Sequence, residues 1–319
     1  MAKYDSEIDL SNRNNSHTFI VELVGANKRV LDVGCATGYV ARALNERGCT
    51  VSGLEADPEA AQEARPHLDR LVVGDLEHTD LVETFGEHSF DVVVFGDVLE
   101  HLRDPLPTLR QSRSLLVDGG SVVASVPNIA HGSIRLSLLQ GRFDYQPLGL
   151  LDTTHLRFFT RDSLEALMRE AGLIPVDVRR TTAGVFDTTV EVREQDFPPE
   201  LVEAVLADPE GLTFQFVVRA VVDDAGAAVA ALHAREEEQR RVIDDLRRAL
   251  AESEALRSAA HARAEEQTKV AADLERRLDE AEAGLSEVRT ELDLVLRTRT
   301  MRYSRSARDA YSRLRQLSR

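Results

Sequence analysis

The chain has 319 residues, 43% of them hydrophobic, and a formal net charge of -16 at pH 7, which suits one sizeable core plus an appendage. Its two cysteines, Cys35 and Cys49, exclude a disulfide framework and a cysteine zinc cluster, and no run of about 20 apolar residues is present to span a bilayer. Residues 297–319 hold eight Arg and one acid for +7, leaving -23 on the other 296, and so acidic a body argues against nucleic acid, whose phosphates need clustered cations.

The opening residues up to Asn15 are polar and lack an apolar signal-peptide core, so the cytoplasm is the expected location. Residues 30–41, VLDVGCATGYVA, form the most informative stretch. An apolar run, Val30-Leu31-Asp32-Val33, predicts a strand. It stops at a turn of small residues, Gly34 to Gly38, and a helical pattern begins at Tyr39. A strand, a tight turn and a helix N-terminus let backbone approach a ligand closely. The dinucleotide pattern G-x-G-x-x-G fails because Ala36 stands between Gly34 and Gly38, and no Lys follows for a P-loop. The acid Asp32 beside the turn repels phosphate and welcomes a cation or an ammonium group. Glu55 ends a second strand over Val51-Ser52-Gly53-Leu54, where a carboxylate can grip ribose hydroxyls. Asp75 follows Leu71-Val72-Val73-Gly74, and a fourth strand, Phe90 to Phe95, leads into Gly96-Asp97-Val98-Leu99-Glu100-His101.

In this order and spacing, the four elements resemble a class I S-adenosylmethionine-dependent methyltransferase, of the group with quinone-type and sugar O-methyltransferases. The resemblance covers roughly residues 14 to 222 and implies an α/β fold: a Rossmann-like seven-stranded sheet with helices on both faces and one antiparallel strand near its edge. It implies S-adenosylmethionine as cofactor. Asp32, Gly34 and Gly38 would surround its methionine part, Glu55 would hold the ribose, Asp75 and Leu76 would flank the adenine, Cys35, Ala36 and Ala56 would also belong to the cofactor site, and Asp97 would sit beside the methyl group. Ala36 departs from the family, which usually has a third glycine there.

Further along, a helix is expected over Leu102–Leu116 and a fifth strand over Ser121–Asn128. Another helix begins at Arg161 and stops at Gly172, and two last strands run over Leu173–Val178 and Phe214–Val222. Residues 182–212 are an insertion with one short helix after Pro198-Pro199. Ligands of open α/β sheets bind at the carboxyl ends of the strands, so the acceptor should meet the loops after strands four and five. These offer His101, Asn128, His131, Arg142, Tyr145, His155, Arg157 and Phe158. A base is needed to take the acceptor's proton, and neutral histidine suits that role. His155 and His101 are the candidates, with Asp97 beside them. Glu100 next to His101 is too short a spacing to be diagnostic of a metal, and none is expected.

From Val229 to Val295 a heptad register runs unbroken, and fifteen of its twenty a and d positions are apolar, which predicts a coiled coil and a homo-oligomer. Tyr303, Ala307, Ala310, Tyr311, Leu314 and Leu317 then make one stripe ringed by Arg residues, a basic amphipathic end suited to an anionic lipid surface or a protein partner. The expected organisation is a methyltransferase domain over 1–224, a coiled coil over 225–298 and a basic tail over 299–319. A head, a rod and a basic end together resemble enzymes of bacterial surface-polysaccharide synthesis, in which a rod spaces the head from a membrane-bound glycosyltransferase. The expected activity is therefore O-methylation of a sugar or glycan hydroxyl, at the inner face of the membrane. A small quinone or secondary metabolite is the alternative acceptor. A non-catalytic scaffold is the alternative of another class.

Overall fold

A computed structural model describes residues 8–223, 227–297 and 305–316. Residues 8–240 fall in one compact unit, built on a seven-stranded sheet of order β3-β2-β1-β4-β5-β7-β6. The strands are β1 (Arg29–Val33), β2 (Thr50–Glu55), β3 (Arg70–Val73), β4 (Phe90–Gly96), β5 (Leu116–Pro127), β6 (Leu173–Thr182) and β7 (Thr213–Val222). The first five pair in parallel, and β7 runs antiparallel to both of its neighbours, β5 and β6. The expected seven strands and single reversed member are thus present. The reversed member lies one place in from the edge.

The central strands are apolar on both sides, and successive side chains feed different cores. Val30, Val92 and Val94 join the cluster under α1 (Ser16–Val24) and α2 (Tyr39–Asn45). Leu31, Val33, Val93 and Phe95 join the cluster under α4 (Leu81–Phe85), α5 (Pro105–Leu115) and α7 (Arg161–Glu170), with α3 (Pro58–Ala64) following β2. A parallel strand must be covered on both faces, so its sequence reads as a continuous apolar run. A third cluster joins α6 (Gly132–Leu139), Leu150, Leu151 and the insertion after β6, whose helix α8 (Pro199–Leu206) starts at the expected prolines.

Strand order reverses between β1 and β4, and the turns after both strands leave the sheet at its carboxyl edge. A crevice opens at such a point.

Helix α9 (Ala227–Arg297) spans the expected heptad register. One compact unit ends at Arg240 and a second begins at Arg241, inside α9, whereas the sequence placed the boundary at 224. Helix α10 (Arg305–Gln316) covers part of the basic tail, and Tyr303 and Leu317 of the expected stripe lie outside the described residues. Among the described residues, no helix is long and apolar enough to cross a membrane.

Candidate active site

The turn after β1 depends on three residues with positive φ: Gly34 at 74°, Ala36 at 46° and Gly38 at 77°. Ala36 tolerates a left-handed conformation at a cost that glycine would not bear. Its amide is anchored in compensation, donating to Glu55 Oε2 at 2.8 Å. Glu55 Oε1 accepts from the Asp57 amide at 2.8 Å, so one carboxylate ties the β1 turn to the start of α3. A Cβ at Gly38 would lie 2.9 Å from the Ala64 Cα, so only glycine lets α3 pack this closely.

Above this turn lies a cleft of about 650 Å³, within the range of small-molecule sites. Gly34, Ala36, Glu55, Ala56, Asp75 and Leu76 line it, as do Asp97, Glu100, His101 and His155 further along. Cofactor and acceptor candidates therefore share one cavity. The side chains of Asp32 and Cys35 are buried behind the turn, where Cys35 Sγ packs against Gly53. Asp32 is 3% exposed and its Oδ2 has no hydrogen-bond partner. Burial first, and Glu55 second, push its carboxyl up to about 7.

Asp75 is exposed, accepts from the Glu77 amide and pairs with His78 at 2.9 Å. The Glu77 amide, then His78, hold its carboxyl below the usual aspartate value.

At the other end, Asp97 leaves β4 with φ 54°, and this backbone is locked by Ser125. The Ser125 hydroxyl accepts from the Asp97 amide and donates to its Oδ1, and Gln215 Nε2 donates to the same oxygen at 3.0 Å. Leu99–His101 form a short 3₁₀ turn. Its Glu100 carbonyl accepts the amides of Leu156 and Arg157 at 2.8 and 2.9 Å, which pins the distant loop and sets His155 beside His101. The two rings meet edge to face with centroids 4.9 Å apart. The Glu100 side chain is 1% exposed, and both its oxygens lack a partner. Burial, then Asp97, raises it well above the usual glutamate value. Burial, then His101, holds His155 below the ordinary histidine value, so it is neutral near pH 7.

Several acceptor-loop candidates have other work. Asn128 is fully buried and donates to the Glu210 and Thr213 carbonyls. His131 caps α6 and reaches the Ala183 carbonyl. Arg157 donates to the Arg103 carbonyl, and Arg142 pairs with Asp144. Tyr145 and Phe158 pack with Phe143 in an aromatic group next to His155, outside the cleft lining. Of the eight loop residues, His101 and His155 line the cleft.

Sequence reasoning missed His17, Tyr39 and Gln215, which also line it. Asn15 caps α1 and so projects His17 toward Tyr39, whose hydroxyl is 3.3 Å from His17 Nε2. The signal was an Asn ahead of the apolar pattern Phe19-Ile20-Val21.

A methyltransferase-domain family model matches residues 13–178, just over half of the sequence. The ubiquinone biosynthesis O-methyltransferase of Ruegeria pomeroyi is 34% identical over 157 residues, covering 48% of this chain and 62% of that protein. The protein of the same name from Neisseria meningitidis serogroup C is 31% identical over 169 residues, 51% and 70% of the two chains. The chain thus spans less than two thirds of the length of the first of these relatives. Among solved structures, the 1,6-didemethyltoxoflavin-N1-methyltransferase of Burkholderia thailandensis aligns over 68% of this chain and 82% of its own, at 20% identity and TM-score 0.43.

The residues present fit S-adenosylmethionine. A buried acid whose Oδ2 lacks a partner backs the turn, and Glu55 keeps one lone pair on each oxygen for ribose hydroxyls. The chain belongs to the methyltransferase-domain family, and S-adenosylmethionine is its cofactor.

Proposed function

We propose that this chain O-methylates a small aromatic acceptor of the hydroquinone or phenol class. One observation carries the reading: the glycine-turn pocket and the Glu100–His101–His155 cluster open into the same cleft. Bound S-adenosylmethionine supplies an electrophilic methyl group already activated by its sulfonium charge. The chain's own task is then to align an acceptor oxygen and handle its proton. The Leu150 carbonyl lies 3.3 Å from His155 Nδ1, and the Thr154 carbonyl 3.2 Å from His101 Nδ1. A carbonyl accepts only, so Nδ1 carries the proton on each ring and Nε2 keeps its lone pair for the site.

The acceptor class is supported by the relatives named for ubiquinone biosynthesis. The glycan acceptor expected from the sequence becomes the second choice, since both of these relatives are named for ubiquinone biosynthesis.

The long helix supports a homo-oligomer. Leu246, Leu250, Leu274, Leu278, Leu285 and Val288 of α9 are all at least 56% exposed along one heptad seam, and a second copy of the helix would cover them. In α10, Arg313 and Arg315 beside exposed Tyr311 and Leu314 fit an anionic lipid surface.

Calorimetric titration with S-adenosylhomocysteine tests the reading, with Asp32→Ala and Glu55→Ala alongside. Micromolar binding lost in both variants supports it and opens a screen of catechols and hydroquinones against nucleotide sugars. A folded wild-type protein that binds nothing overturns it in favour of a scaffold.

A further inference from the structure

The Glu100 carboxylate has two oxygens in a nearly water-free position, with no donor to satisfy either. A group so buried and unpartnered is costly unless protonated, paired or coordinating. Two imidazoles face it, with Nδ1 of each turned onto a backbone carbonyl. That hydrogen bond fixes the ring and leaves Nε2 as a lone pair, as for most metal-ligating histidines. One donor atom from each of Glu100, His101 and His155 lies within 4.8 Å of the others. A tetrahedral zinc ion would draw them to about 3.3 Å apart, a side-chain adjustment at bond lengths of roughly 2.0–2.2 Å.

The geometry points to a divalent-metal site formed by Glu100, His101 and His155, with an open coordination position toward the acceptor. Two imidazoles and one carboxylate suit a first-row ion such as Zn²⁺ or Co²⁺ better than Mg²⁺, which prefers oxygen ligands and keeps its waters. Asp97 and Gln215 line the adjoining wall of the cleft, joined by a hydrogen bond of 3.0 Å. The sequence expected no metal because the Glu100-His101 pair alone is uninformative. The third ligand arrives only when the Glu100 carbonyl captures the amides of Leu156 and Arg157.

The existence of the site does not depend on the acceptor, but its use rests on the methyl-transfer reading. An acceptor hydroxyl bound at the open position would lose its proton more readily, as zinc-bound water does. The O–H bond breaks, the proton leaves to solvent water and the electron pair stays on the oxygen for transfer. The two histidines then hold the ion and need not carry the proton themselves.

The experiment is equilibrium dialysis of the untagged full chain against Zn²⁺ and Co²⁺, with metal analysis and the visible spectrum of the Co²⁺ form. Glu100→Gln, His155→Ala and, as a control outside the cluster, His88→Ala are run in parallel. The expected result is one ion per chain, with affinity reduced tenfold or more in the first two variants and unchanged in the third, a loss typical of disturbed metal shells. Calorimetry with S-adenosylhomocysteine on the same samples reports whether each variant is folded and whether the cofactor reading holds. Wild-type protein that binds S-adenosylhomocysteine but takes up neither metal, or variants that bind both as well as wild type, would overturn the metal site and leave the methyl-transfer reading standing.

Discussion

Asp32 supplies a pH dependence of stability whose sign and size follow from its position. Its carboxyl moves from an ordinary value of 3.8 up to about 7, chiefly by burial, with Glu55 adding repulsion. For an acid with a raised folded value, the unfolded chain releases its proton first. Below the ordinary value both states are protonated and nothing is lost. Between there and about 7 the native state holds a proton that the unfolded state has shed, so stability falls as pH rises, and the fall levels off above about 7. At about 1.4 kcal/mol per unit, the 3.2 units between 3.8 and 7 amount to roughly 4 kcal/mol. Asp32→Asn keeps the shape and removes the titration. Urea denaturation at intervals from about pH 4 to pH 8 should show the variant gaining on wild type by up to that amount. Parallel curves across the range would refute the reasoning and mean that Asp32 is solvated or paired.

Gly38→Ala should destabilise by about 2–4 kcal/mol and weaken S-adenosylhomocysteine binding, since positive φ and the 2.9 Å approach to the Ala64 backbone both oppose a Cβ; urea midpoints and calorimetry check this. His155→Ala should lower kcat by about a hundredfold or more while S-adenosylhomocysteine binds normally, measured by methyl transfer from labelled cofactor with a catechol acceptor. Leu278→Glu combined with Leu285→Glu should reduce the sedimenting mass to that of one chain, because both exposed side chains lie on the proposed seam.

The parts of this protein that could be read from its sequence are those governed by neighbours along the chain. The β1 turn announces itself because an apolar strand, a cluster of small residues and a helix start must adjoin. The heptads of α9 are visible because a repeat of seven survives any tertiary context. The cluster around Glu100 was not legible, because His155 reaches it only through two backbone hydrogen bonds across a long loop. Asn128 and His131 illustrate the converse. Their polar groups suggested acceptor chemistry, yet each is consumed in holding loops together, and nothing in the sequence says which way a polar side chain turns.

The bridge made by Glu55 has a consequence for discrimination. A carboxylate offers about four lone-pair sites, and the amides of Ala36 and Asp57 occupy two of them, one on each oxygen. The two sites left form a matched pair, set in a fixed direction by a backbone that ligand binding need not rearrange. A vicinal diol satisfies both at once, whereas a deoxy sugar leaves a desolvated oxygen without a donor. In the proposed cofactor site the turn would act as a gauge for two adjacent hydroxyls, and 2′-deoxy analogues of the cofactor should be rejected by more than the worth of a single hydrogen bond.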